Sequence, residues 1–434
     1  MTVLDDIYNT DGSSHDISER DLKWVARPTR RIPVAIATAS GSVLTDADGR
    51  ELIDLTSGWN VCNAGWNHPR VIEAVREQAS KLPFAPPWCT HDGRPGVAER
   101  VSGLLGDGDY AALCGANGSE SVEAALKVAR LATGRHVVVG FTEAYHGGTL
   151  GSILAGGVSK LHGLFLPKDE WHRHAPIPDM LRADGRSYGD LAREVILQEP
   201  APAAVLLEPV FTNPGVLAGD AHFYRSIAEA ASACGALVIM DEIGTGFGRT
   251  GTMFGFQQFP IRPDIVVVAK ALTTGAVPMA GALMRRELVK FVAGQGFSST
   301  FGWTPLACAA ADATLDVLEE EGLPARAREL GGRAVERLRP LVDGVGHVAD
   351  VRGYGLEMGI ELTDESRNPL PAEEMMKLTR KLLTRGVFAE PSAYTSTLLI
   401  MPPLSIPEEQ FDRALDIVAE AISEMELNRT AKDS

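Results

Sequence analysis

Lys270 ends the apolar run Ile265-Val-Val-Val-Ala269 and is followed by Ala-Leu rather than by further charge. A lysine buried without a task is rare. Desolvation lowers its pKa and turns its amine into a usable nucleophile, the device of lysines that form Schiff bases with carbonyl groups. The plainer reading is a lysine that snorkels to the surface from a strand end. A second apolar run, Ala236 to Met240, delivers Asp241 in the same manner and continues as Asp241-Glu-Ile-Gly-Thr-Gly-Phe-Gly-Arg-Thr-Gly251. Both charges therefore fall at C-terminal strand ends, where open α/β sheets bind ligands.

Two further stretches add chemistry. Gly115-Ala-Asn-Gly-Ser-Glu-Ser-Val-Glu-Ala-Ala-Leu-Lys127 is a small-residue turn running into an amphipathic helix. Free N–H groups at such a helix start suit a phosphate, with Gly118 allowing close approach and Ser119 donating from amide and hydroxyl. Plain N-capping by Ser119 with glutamate in the first turn accounts for the same residues. Tyr145-His146-Gly-Gly148 follows the apolar run His136 to Phe141. Its aromatic face could stack on a flat heterocycle or simply fill a core.

The elements that must hold these residues alternate from about residue 112. Apolar runs at His136–Phe141, Ala203–Pro209, Ala236–Met240 and Ile265–Ala269, with a further run at Gly281–Met284, are separated by helical patterns such as Val122–Thr133 and Phe223–Cys234. Continuous apolar runs mean strands buried on both faces, hence a mainly parallel sheet. Ahead of them, residues 1 to about 40 read as polar and irregular, with a solvated basic knot at Arg27-Pro-Thr-Arg-Arg31. Gly41–Leu55 reads as a hairpin around Asp46-Ala-Asp-Gly49, and Ser57–Pro69 as a Gly-rich, Trp-bearing loop. After a long helix over Thr304–Glu321, strands at Val348–Arg352, Leu356–Leu362 and Leu398–Met401 mix with helices at Arg326–Val342, Ala372–Arg385 and Glu408–Leu427. Such mixing predicts a second, smaller α+β domain.

Composition narrows the function. The 434 residues are 45% hydrophobic and 23% charged, an ordinary globular balance with room for two to three domains by length. A formal charge of −16 speaks against nucleic acid and anionic membrane as partners. Cys62, Cys89, Cys114, Cys234 and Cys308 are scattered and form no Cys-x-x-Cys pair, so neither a disulfide framework nor a metal site is expected. With no secretory pattern at Met1–Tyr8 and no apolar run of bilayer length, the expected location is cytoplasmic.

Gly-Ser-Glu-Ser-Val-Glu-Ala-Ala-Leu-Lys, Tyr-His-Gly, Glu208-Pro-Val, the Asp241–Gly251 stretch, Lys270, Ser299-Thr-Phe-Gly302 and Met401-Pro-Pro-Leu404 occur here in an order that resembles the class III aminotransferases. The resemblance runs from about residue 33 to 425. It implies the α/β fold type I of pyridoxal 5'-phosphate enzymes, the aspartate aminotransferase-like fold, with a large mainly parallel seven-stranded-type sheet domain and a smaller α+β domain. The implied division is an N-terminal segment over 1–60 joining the small domain, a large cofactor-binding domain over 61–310 and the small domain over 311–434. By the same resemblance Lys270 is the Schiff-base lysine and the base that moves the substrate proton, while Asp241 keeps the pyridine nitrogen protonated so that the ring draws electrons. Ile243 and Tyr145 would flank the ring, with His146 beside them. Gly118 and Ser119 would hold the phosphate, and Glu208 would lie near the phenolic side. Thr300 would reach the cofactor of the neighbouring subunit, which requires a homodimer. Where many members carry Gln after Asp-Glu-Val/Ile, this chain has Gly244.

The substrate positions depart from the family. Leu399 stands where many members acting on amino acids carry a carboxylate-clamping Arg, and Asn213 where related enzymes have the Glu that parks it. Gly148 replaces a third Arg. Bidentate Arg is the natural reader of a carboxylate, and a carboxylate buried without a partner costs several kcal/mol. The expected substrate is an amine or aldehyde with no carboxylate beside the reacting carbon, such as an aminosugar, an aminoglycoside or a polyamine-like metabolite of antibiotic biosynthesis, with Trp59 as a stacking wall. Register error, or replacement by Arg27, Arg30 or Arg31, would restore a carboxylate site. The same cofactor residues also serve racemisation or epimerisation, internal amino shift and decarboxylation, and a non-catalytic relative would have no use for Lys270.

Overall fold

A computed structural model describes residues 12–26, 32, 34–106, 108–158, 161, 164, 170–178 and 187–425. The basic knot at 27–31 lies outside them. In chain order the strands are β1 (Ile36–Ser40), β2 (Val43–Asp46), β3 (Glu51–Asp54), β4 (Tyr110–Gly115), β5 (Val138–Phe141), β6 (His172–Ala175), β7 (Ala204–Leu207), β8 (Leu237–Asp241), β9 (Ile265–Val268), β10 (Ala280–Arg285), β11 (Val348–Tyr354), β12 (Glu357–Leu362), β13 (Val387–Phe388), β14 (Glu390–Pro391) and β15 (Thr397–Ile400). They build a seven-stranded sheet in the order β4-β10-β9-β8-β7-β5-β6 and two four-stranded sheets, β1-β2-β3-β13 and β11-β12-β15-β14.

In the large sheet β6, β5, β7, β8 and β9 run parallel, and β10 pairs antiparallel with both β9 and β4. Alternate residues of its strands enter two cores. Val205, Leu207, Val238, Met240, Val266 and Val268 face one, with Phe223, Ile227 and Leu315; Ala204, Leu206, Ile239, Ile265 and Val267 face the other, with Val122, Ala125 and Ala129 of the helix Gly118–Thr133. Burial on both faces is why these segments read as unbroken apolar runs rather than as alternation.

The N-terminal forty residues are not irregular throughout: Ser13–Trp24 is a helix and Ile36–Ser40 is β1. That helix buries only Ser14, so it lacks the apolar stripe by which a helix is usually recognised. The hairpin is present as β2 and β3, and β13 from the C-terminal part pairs in parallel with β3. The helix expected over Arg326–Val342 ends at Leu338, and Pro340, which has no N–H to donate, starts a separate short helix. The helix Pro305–Glu320 spans residue 310, so the expected domain boundary falls within it. Its start is fixed by Pro305 at the first turn and by Thr304, whose side chain accepts from Ala307 N at 3.2 Å. All five cysteines are free thiols. Among the described residues no helix is long and apolar enough to cross a membrane, and no group of three His, Cys, Asp or Glu is arranged to hold a metal ion.

Candidate active site

β8 and β9 are parallel neighbours, and Asp241, the last residue of β8, pairs with Val267 three positions before Lys270. The two charges that sequence placed at strand ends are thereby brought to the same edge of the sheet. There they line a cavity of about 410 Å³ together with Gly118, Ser119, Tyr145, His146, Glu208, Ile243 and Gly244. Lys270 takes φ 46°, a left-handed conformation that a side chain adopts only under constraint. Burial depresses the pKa of its amine, against the opposing pull of Asp241, Glu208 and Glu357. Asp241 is buried and accepts from His146 Nδ1 at 2.7 Å and from Ile243 N at 3.0 Å, so its carboxylate is held from two sides. His146 Nε2 is buried with no hydrogen-bond partner among the described residues. Glu208 accepts from Tyr145 N and Thr212 N, each at 3.3 Å, and burial pushes its carboxyl up to about 7.

The start of the helix Gly118–Thr133 points into this cavity. Its cap is Asn117, whose side chain accepts from Glu120 N at 3.0 Å, so capping does not explain Ser119. The Ser119 hydroxyl instead accepts from Gly148 N at 3.0 Å across the cavity mouth. Between them Gly147 has φ 136°, and a Cβ there would collide with Ser119. A Cβ on Gly118 would stand 2.8 Å from Ile243 Cδ1, so this lining side chain packs directly against the helix backbone. An exposed helix start, a small-residue cradle, a buried carboxylate fixed by an imidazole and a buried amine fit a phosphorylated, basic, aldehyde-bearing ring.

The remaining expected residues lie elsewhere. Thr300 is exposed and lies outside the cavity lining. Leu399 is wholly buried in a small apolar cluster with Val210, Val216 and Met401, against which Trp59 packs; it presents no surface to a substrate. The Asn213 carbonyl accepts from the Ser392 hydroxyl. None of these three lines the cavity. Sequence reasoning missed the group next to them. Glu357, at the start of β12, is buried and accepts from Asn60 Nδ2 at 3.1 Å and from the Thr212 hydroxyl, and burial pushes it up to about 7. Nothing in the sequence signalled it, because Glu357 and Glu361 alternate with apolar residues along β12 as solvent-facing positions would.

The family profile described as Aminotransferase class-III matches residues 24–422. The chain is 33% identical to the acetylornithine aminotransferase of Methanosarcina mazei over 95% of this chain and 98% of that one. It is 30% identical to a 5-aminovalerate aminotransferase of Pseudomonas putida over 95% of this chain and 99% of the other. Among solved structures, an amine transaminase from an uncultivated Pseudomonas species in its pyridoxal-phosphate-bound form superposes with a TM-score of 0.85 at 29% identity, over 92% of this chain and 96% of that one.

Proposed function

Because the chain belongs to the class-III aminotransferase family, whose members use pyridoxal phosphate, we propose that it moves an amino group to or from a substrate with no carboxylate beside the reacting carbon, an aminosugar, aminoglycoside or polyamine-like amine. One observation carries this reading. Among the described lining residues Lys270 is the single Lys or Arg, while Glu208 and Asp241 are acidic, so a carboxylate would enter without the cation its desolvation requires. A formal charge of −16 adds steering for cationic amines.

In this proposal, bound pyridoxal phosphate supplies an aldehyde for attachment of amines and a ring that draws electrons from the bond being broken. Gly118 and Ser119 would hold its phosphate, Tyr145 and Ile243 would flank the ring, and Glu208 would lie near its phenolic side. Asp241 keeps a proton on the ring nitrogen and is oriented by His146. Lys270 anchors the ring and, once its amine is free, carries the proton to and from the reacting carbon. The partner subunit's Thr300 completes the phosphate site, which makes the working unit a homodimer. Exposed Phe301 beside Thr300 packs on Phe84 with ring centroids 5.5 Å apart, an apolar pair suited to such a contact.

A second reading rests on the relatives named for acetylornithine and 5-aminovalerate, each similar over 95% of this chain: the donor would be the amine of an amino acid. A panel of aminosugars, polyamines and α- and ω-amino acids, each with aldehyde and keto acceptors, separates the two. The first reading predicts that carboxylate-free amines give the highest kcat/KM. Activity confined to amino acids would overturn it.

A further inference from the structure

Gly244 lines the cavity and is not in the left-handed region, so its backbone does not demand glycine. A Cβ built there would have Thr212 Oγ1 at 3.5 Å, Asn60 Nδ2 at 3.7 Å and Lys270 Nζ at 4.0 Å as its nearest neighbours. Three polar atoms from three separate segments thus lie within 4.0 Å of that position; Lys270 lines the cavity with Gly244, and Thr212 and Asn60 are buried behind them. Two of them are fixed from behind, because the Thr212 hydroxyl and Asn60 Nδ2 both donate to Glu357 Oε1. Having donated its only hydrogen, Thr212 Oγ1 presents an acceptor, while Asn60 Nδ2 keeps a second N–H. Asn60 Oδ1 and Glu357 Oε2 are also buried without a protein partner among the described residues, so this corner has hydrogen-bonding capacity that a water or a ligand group can meet. We propose that Thr212 and Asn60, held by Glu357, form a subsite for a hydroxyl oxygen in the space that Gly244 leaves beside Lys270.

A hydroxyl matches one donor and one acceptor because it both accepts and donates. The oxygen comes either from the substrate, as a hydroxyl on the carbon next to the one bearing the amine, or from the ring hydroxyl of the cofactor. The substrate source rests on the function proposed above; the cofactor source does not.

The test uses cofactor-loaded wild type with Thr212→Val, Thr212→Ser and Gly244→Ala. The valine removes the hydroxyl at nearly constant shape, and the serine keeps it. The alanine fills the subsite at ordinary contact distances. One arm compares kcat/KM for 1-aminopropan-2-ol and propylamine. The other measures the dissociation constant and visible absorption of pyridoxal phosphate without substrate. A substrate hydroxyl predicts that the preference for the amino alcohol falls about tenfold, the worth of one hydrogen bond, in Thr212→Val and Gly244→Ala and persists in Thr212→Ser. A cofactor hydroxyl predicts that the same two variants weaken cofactor binding about tenfold and alter its absorption, with both amines affected alike. If preference, affinity and absorption all stay unchanged in those two variants, the subsite is wrong. Should wild type turn over neither amine, the same comparison is made with an amino alcohol and its deoxy counterpart from the donor panel; activity confined to amino acids on that panel fails the proposed function instead, and the cofactor arm then decides the subsite.

Discussion

Lys270 and Glu357 set the electrostatics of the cavity in opposite directions. Burial depresses the lysine, so its amine is neutral at a lower pH than an ordinary lysine, whose pKa is about 10.4. Uptake of pyridoxal phosphate by cofactor-free protein should therefore rise with pH around a midpoint below that value, read from the growth of visible absorption; a midpoint at or above it would contradict the site. Glu357 is the mirror case, with its carboxyl raised from 4.5 to about 7 by burial. The folded chain then holds this proton more readily than the unfolded one, so the stability it contributes is complete below about 4.5 and is lost as pH rises through about 7. Glu357→Gln, which stays neutral, should show a smaller fall in melting temperature between about pH 5 and about pH 8 than wild type; an equal fall would refute the assignment. Sequence disclosed Lys270 because it interrupts an apolar run. It hid Glu357, because in Glu357-Met-Gly-Ile-Glu-Leu362 the acidic residues alternate with Met358, Ile360 and Leu362 as solvent-facing positions would. Glu361, on the same face, does meet an ion-pair partner in Arg352, whereas Glu357 is covered by Asn60 and Thr212 from distant parts of the chain.

At the scale of elements, the helix Gly118–Thr133 shows how one segment serves stability and binding with different residues. Asn117 caps it and Gly134 closes it with φ 68°, leaving Ser119 free for the cavity. Asn117→Ala should cost about 1 kcal/mol of stability while leaving cofactor affinity within about twofold. Ser119→Ala should do the reverse, with a smaller loss of stability through the bond from exposed Gly148 N and cofactor affinity weakened roughly tenfold, the loss of a hydrogen bond to a charged group. Equal effects of both substitutions on affinity would remove the distinction. The strands were legible because burial on both faces forces continuous apolar residues. The helix Ser13–Trp24 was not, because it buries only Ser14 and carries no apolar face to read. The separate cap was missed because Asn117 and Ser119 are both good N-cap residues, and sequence does not show which side chain turns back.

The whole molecule joins its two ends: β13, from the C-terminal part, pairs with β3, and Met401 N donates to Leu55 O at 2.7 Å. A substitution in β3 should therefore also disturb the C-terminal part, through its pairing with β13. The proposed homodimer predicts a particle of twice the 46.4 kDa chain mass by light scattering, and Phe301→Asp should shift it towards the monomer with loss of cofactor retention. A wild-type monomer that retains cofactor would contradict the role given to Thr300. With a net charge of −16, kcat/KM for a polycationic amine should fall as salt rises, whereas a neutral amine should be indifferent. Transamination by Lys270 at the edge shared by β8 and β9 is read directly from the spectrum of the cofactor. An amine donor is added alone to the cofactor-loaded protein, and the visible absorption is followed. Wild type should convert the cofactor to its amine form, and Lys270→Ala should not. Unchanged absorption in wild type across the donor panel, or conversion at the wild-type rate in Lys270→Ala, would contradict it.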